Sequence, residues 1–221
     1  MRSEDLTGLN PSLAKTEIGI FYDRAVEITR DFEEVEEVFM FNLHDEWYSP
    51  KANEFGTKYS LELFNVGNKV RVTLFDVSQK AKNAFNFLAS SNGVSTIGED
   101  FFSDGSLNKP QIATEAFSIR LNEMGPGGEV GMKVEAVKNT VSALKDGFDK
   151  LIAGLEDLPI NISFYDPGDQ IKMAYTEAVM KSVITVSELA TSIYADIEGA
   201  IETETHLVEE AKNAASEEMS E

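Results

Sequence analysis

Apolar positions recur along this chain at alternating spacings of three and four. Ile18, Phe21, Ala25, Ile28, Phe32, Val35 and Phe39 form the first such stripe, while Asp23, Glu27, Arg30, Glu34 and Glu37 fall off it. That near-heptad pattern predicts an amphipathic helix starting at Asn10-Pro11-Ser12 and running to Trp47, about 35 residues or roughly 50 Å at 1.5 Å per residue. A second stripe carries Phe55, Tyr59, Leu63, Val66, Val70, Leu74, Val77, Ala81, Ala84 and Leu88. Its Val-rich centre also reads as strand, but the length and the sustained period favour helix, and Asn92-Gly93 is a helix stop. From Glu129 a third stripe runs through Val130, Val134, Val137, Val141, Leu144, Phe148, Leu151, Leu155 and Leu158 to Pro159. The fourth carries Ile171, Tyr175, Val179, Val183, Val186, Ala190, Ile193, Ile197 and Ile201, on a helix expected to reach Leu207 or beyond.

Between the first two helices lies Trp47-Tyr-Ser-Pro-Lys-Ala-Asn-Glu-Phe55, and between the last two Phe164-Tyr-Asp-Pro-Gly-Asp-Gln-Ile171. Ser49 suits the N-cap of the following helix, where its hydroxyl accepts from a first-turn amide. Pro50 suits the first helical position, which has no use for an N–H. Asp166 and Pro167 repeat the device, and proline disfavours helix in the residue before it. The fold class is therefore all-α: two long helical hairpins packed as an antiparallel four-helix bundle with an irregular connector. Residues 1–91 form the first hairpin, 92–128 the connector, and 129–221 the second hairpin, ending in a polar tail expected to fray. The connector holds the turn clusters Ser90–Gly93, Asp104–Ser106 and Gly125–Gly128, yet carries Ile97, Phe101-Phe102 and the apolar positions of 112–121, too many large apolar groups for a flexible linker. Any strand is expected within 94–121, and Phe101-Phe102 is read as a plug over the bundle end, with a membrane-probing tip as the alternative.

Composition narrows the function classes. The 221 residues include no cysteine, which excludes disulfides and thiolate metal sites. The formal net charge of -20 disfavours phosphate backbones and anionic lipid surfaces. No run approaches the roughly 18 apolar residues of a membrane span, and the N-terminus shows no basic start or apolar stretch of a signal peptide. His44-Asp45-Glu46 offers three metal-ligand types, but consecutive helical residues point in different directions. Glu99, Asp100, Asp104 and Asn108 do not fit the calcium-loop spacing. Gly125-Pro-Gly-Gly-Glu-Val-Gly131 lacks the lysine of a phosphate cradle and reads as a hinge. Glu33-Glu34 and Glu36-Glu37 read as a solvated face. No nucleophile–base constellation emerges, so no enzyme activity, metal or cofactor is expected.

Trp47 followed by Phe55 eight positions later, at the bend of a helical hairpin, resembles the WXG100 proteins of type VII (ESX-like) secretion. Those proteins place Trp-x-Gly at the turn. Here Ser49 stands where that glycine would be, and in the second hairpin Phe164 replaces the Trp and Asp166 the Gly. The likeness covers 12–90 and, more loosely, 129–205. Because family members pair as antiparallel four-helix dimers, a tandem copy would look like a fused pair. The resemblance further implies an export signal of the form Tyr-x-x-x-Asp/Glu, which Tyr194-Ala-Asp-Ile-Glu198 fits. A tyrosine and an acid four apart share one helix face, and since Ile193 and Ile197 take the buried stripe, Tyr194 and Glu198 should be at least partly exposed.

The leading expectation is a non-enzymatic interaction protein, exported without a conventional signal peptide or handled by a secretion-type machine. Its partners would be proteins, either that machinery or copies of itself, with no nucleic acid and no membrane span. A subunit packed into a virion or particle is the alternative, and an acidic decoy or chaperone for a basic partner, in the cytoplasm, follows behind. A helical pore-former would need a less polar tongue than 94–121.

Overall fold

In the computed structural model the described residues are 9–102, 125, 127–128, 130–160 and 169–219. They form α1 (Pro11–Glu46), β1 (Trp47–Tyr48), α2 (Pro50–Ser91), a 3-10 turn (Glu99–Phe102), β2 (Gly131–Met132), α3 (Val134–Glu156) and α4 (Asp169–Glu218). The fold is all-α, with one ladder of two-residue strands among the described residues. The second-bend residues Phe164, Asp166 and Pro167 lie outside the described residues.

Each terminus has a local cause. Asn10 Oδ1 accepts from Leu13 N at 3.1 Å and caps α1. Ser49 Oγ accepts from Ala52 N at 2.9 Å, with Pro50 as the first helical residue of α2. At the other end of α2 the amide of Val94 donates to Ala89 O (2.8 Å) and that of Gly93 to Ser90 O (3.4 Å), around Gly93 at φ +66°. That pair of bonds around a left-handed residue is a Schellman motif, and glycine adopts the φ without the Cβ penalty. The Val-rich centre of α2 is helical throughout. Its local β preference gives way to the packing of a long apolar face.

Any strand is expected within 94–121, of which 103–121 lies outside the described residues; the strands that the described residues form lie elsewhere. They pair antiparallel as Trp47↔Met132 and Tyr48↔Gly131. The third helical stripe accordingly starts later than its apolar periodicity implies: Val130 is 64% exposed, and α3 begins only at Val134. Gly131, at φ +147°, lets the chain pass from the ladder toward the helix. The core stripe of α2 also drifts. After Ala81 the fully buried residues are Phe85 and Ala89 rather than Ala84 and Leu88, as expected when a 3.6-residue turn outruns a seven-residue repeat. The polar residues at the end of α4 continue the helix to Glu218.

The packed residues fall into two compact units, each drawing on all four helices and so cutting across the hairpins. One takes α1 up to Phe32, α2 from Val66, α3 from Lys150 and α4 up to Val186. Its core stacks Phe21 on Tyr175 at 4.0 Å between ring centroids and sets Ile28 against Gly154. Asp31 Oδ1 accepts from Lys150 Nζ at 2.8 Å on its flank. Phe102 is buried here against Tyr22 and Phe75, on the flank formed by α1 and α2, which makes it neither an end plug nor an exposed tip.

The other unit takes α1 from Glu33, α2 up to Asn65, α3 up to Asp149 and α4 from Ser187. Its core joins Phe39, Phe55, Trp47 and Tyr59 in one aromatic run. Gly147 approaches Val35 so closely that an added Cβ would lie 2.9 Å from Val35 Cγ2, which pins α3 to α1. The buried serines Ser78 and Ser182 bond back to their own helices, Ser78 Oγ to Leu74 O at 2.9 Å and Ser182 Oγ to Ala178 O at 2.8 Å.

Trp47 is 2% exposed and packs on Phe55 at 5.4 Å, while its Nε1 has no hydrogen-bond partner among the described residues. Trp47→Ala should therefore destabilise the protein by about 3–5 kcal/mol. Trp47→Phe should cost clearly less, because it deletes a donor that makes no bond. Chemical denaturation followed by circular dichroism checks both, and native tryptophan emission should be blue-shifted relative to the unfolded chain.

Candidate functional site

The bend is a built corner. The end of α1 leaves carbonyls without helical partners, and the residue before α3 satisfies two of them. Lys133 N donates to Glu46 O at 2.8 Å, and Lys133 Nζ donates to Asp45 O at 2.9 Å. Thr140 Oγ1 then donates to Glu46 Oε2 at 2.7 Å from the second turn of α3. Tyr48 folds back to donate to Asp45 O at 3.0 Å, and Gly125 lies so close to its ring that a Cβ there would sit 3.0 Å away. Of the residues singled out from the sequence, Trp47, Ser49, Pro50 and Phe55 all meet at this corner.

Beside it, α2 and α4 share a polar cluster that sequence reading missed. Tyr59 Oη lies 2.6 Å from Asp196 Oδ2 and 2.9 Å from the Ser192 carbonyl, and its one proton goes to the carboxylate, the stronger acceptor. Lys58 Nζ donates to both Tyr59 Oη and Asp196 Oδ2 at 3.0 Å. The hydrogen bond from Tyr59, helped by Lys58, holds the Asp196 carboxyl below its ordinary 3.8. Burial, and then the carboxylate, push the Tyr59 phenol up. A hollow of about 330 Å³ opens next to this cluster, lined by Trp47, Lys51, Phe55, Gly199 and Thr203 among others. The only sequence signal was negative: Tyr59 sits on an apolar stripe, yet its hydroxyl demands a partner once buried.

Tyr194 and Glu198 lie one step around α4 from Ile193 and Ile197, which are both 0% exposed. Tyr194 is half-buried and Glu198 exposed. Both meet α3. Tyr194 Oη donates a long bond of 3.4 Å to Leu144 O, and its ring meets Phe148 edge-on at 5.9 Å. Lys145 Nζ donates to Glu198 Oε1 at 2.9 Å and stands 5.2 Å from the Tyr194 ring centroid. One lysine thus holds both members of the pair, by charge to the acid and by cation–π attraction to the ring. Burial, then the charges of Asp149 and Asp146, raise the Tyr194 phenol above its ordinary 10.0.

Elsewhere, His44 Nδ1 lies 3.0 Å from Asp45 Oδ1 and His206 Nδ1 3.7 Å from Glu210 Oε1, both exposed arrangements. Among the described residues no three His, Asp or Glu side chains are grouped to hold a metal, and no helix is long and apolar enough to cross a membrane.

Two pH dependences follow. A depressed Asp196 contributes stability that is present above 3.8 and lost as the pH falls through its lower folded value. Stability of Asp196→Asn should therefore fall less than that of the parent over the acid limb, measured by urea unfolding at stepped pH. A raised Tyr194 contributes stability that is present below 10.0 and lost as the pH rises through its higher folded value. Alkaline difference spectra of the parent and Tyr194→Phe should show that the phenolate lost with this residue is one that forms late.

Comparison of the chain with protein-family models, with curated proteins and with solved structures finds no match.

Proposed function

We propose that this chain is a non-enzymatic helical interaction protein, built like a fused pair of WXG100-type hairpins and exported or handled by a secretion-type machine. The observation that carries this reading is the contact of Trp47 with Phe55 at a hairpin bend. The eight-residue spacing that marks the resemblance becomes a ring contact between the last residue before the bend and the first full turn after it.

In this reading Tyr194 and Glu198 form the handle a receptor grips. The acid is exposed, and the ring shows part of its face. A receptor groove would supply a cation in place of Lys145 and an apolar slot for the ring. The alternative of a particle subunit draws on a different observation, the exposed Leu61, Val72, Phe87 and Met173, which give α2 and α4 apolar outer surface.

The test is export from the native host. Tyr194→Ala should lower stability by only about 1–2 kcal/mol, as for a half-buried side chain with one long hydrogen bond, and should abolish appearance of the protein outside the cell. Normal export of a folded Tyr194→Ala protein removes the handle. Recovery of the protein only from assembled particles favours the subunit alternative.

A further inference from the structure

The first half of α4 has two apolar faces. One is buried and carries Tyr175, Ala178, Val179 and Val186. On the opposite side Met173, Met180 and Ile184 are 70%, 58% and 53% exposed. At about 100° per residue these three fall within roughly 40° of helical arc, so they form one straight stripe. A helix that is apolar on two opposite sides normally has a second partner. A surface hollow of about 930 Å³ lies over this stripe.

The charges bordering the stripe identify the partner. Glu177 and Lys181 lie on the same edge of it, one helical turn apart, and neither side chain makes an ion pair among the described residues. In an antiparallel two-fold pair of helices, like edges meet. Setting Met173 against Ile184 of a second copy places Glu177 against Met180 of that copy and beside its Lys181. The two-fold axis repeats the contact, giving two Glu–Lys pairs around a centre made by both Met180 side chains. The pattern is thus self-complementary in apolar positions and in charge, as a symmetric interface requires. We infer that this face of α4 is a homodimer surface, in which Met173, Met180 and Ile184 pack antiparallel against the same residues of a second copy and Glu177 pairs with Lys181 across the two-fold.

The contact is one helix wide and smaller than the roughly 1,200 Å² of a stable standard interface. The dimer is therefore weak, with dissociation in the micromolar to sub-millimolar range, and its register is fixed by charge rather than by area. None of the stripe residues belongs to the Tyr194–Glu198 pair, so the proposed dimer does not rest on the export reading.

Sedimentation equilibrium of the full chain at about 0.15 M salt, where the net charge is screened over roughly 8 Å, tests the proposal. The parent should show a concentration-dependent monomer–dimer equilibrium. Glu177→Lys and Lys181→Glu, each of which sets like charges across the two-fold, should each weaken it by about tenfold or more. An equimolar mixture of these two variants should recover the parental affinity, because each then meets its opposite charge. Met180→Glu should abolish association without lowering the melting temperature appreciably, since the side chain is exposed. A parent that stays monomeric to sub-millimolar concentration overturns the proposal. So does a dimer indifferent to Met180→Glu, or single charge variants whose mixture is no tighter than either alone.

Discussion

Four backbone residues joined across the hairpin corner decide how the rest of the chain can pack. Trp47 and Tyr48 pair with Met132 and Gly131, and Lys133 then donates to the last carbonyls of α1. A helix end buried without such partners is costly, since each unpaired carbonyl loses its water without replacement. The ladder removes that penalty and in the same stroke fixes where α3 begins. Ser49 does the corresponding work at the start of α2. Three helix ends are held by residues 45–52 and 131–133, and the aromatic run behind them has its geometry set by that corner.

Much of this was written locally. The caps at Asn10 and Ser49, the stop at Gly93 and the apolar stripes of α1 and α4 are short-range features, and they fold as their spacing implies. The ladder was not legible, because two residues give no alternation to read and their partners lie more than eighty positions away. Val130 continues the stripe of α3 in spacing, but helix cannot propagate back through Gly131 at φ +147°. The drift to Phe85 and Ala89 is a matter of accumulated phase, which a strict three-four count does not register. At the candidate sites, the faces of Tyr194 and Glu198 followed from their offset to Ile193 and Ile197. Their tie to Lys145 did not, since no pattern in α4 names the residue opposite on α3.

Lys58 on α2 and Lys145 on α3 make the same two kinds of contact. Each carries its charge to an acid of α4, Asp196 or Glu198, and each lies over the tyrosine beside it, at 4.5 Å for Tyr59 and 5.2 Å for Tyr194. The partners differ in how tightly they are held. Tyr59 is fully buried, with a short bond to a carboxylate, while Tyr194 is half-buried with a long bond to a carbonyl. Of the two arrangements the second is the less tightly held, and it is the one proposed as the handle.

α4 spans fifty residues, yet its side chains from Thr205 to Ser216 are all exposed. Among the described residues no neighbouring helix covers that stretch, and twelve such residues are near the lower limit for a helix in water. The macrodipole works against it as well. Glu209 and Glu210 lie toward the negative end, and no basic residue stands in the last turn. The amides of α4 should consequently exchange with solvent in a gradient, slow where Ile193 and Ile197 anchor the helix and fast beyond Thr205, so that one continuous helix opens as two segments of very different free energy.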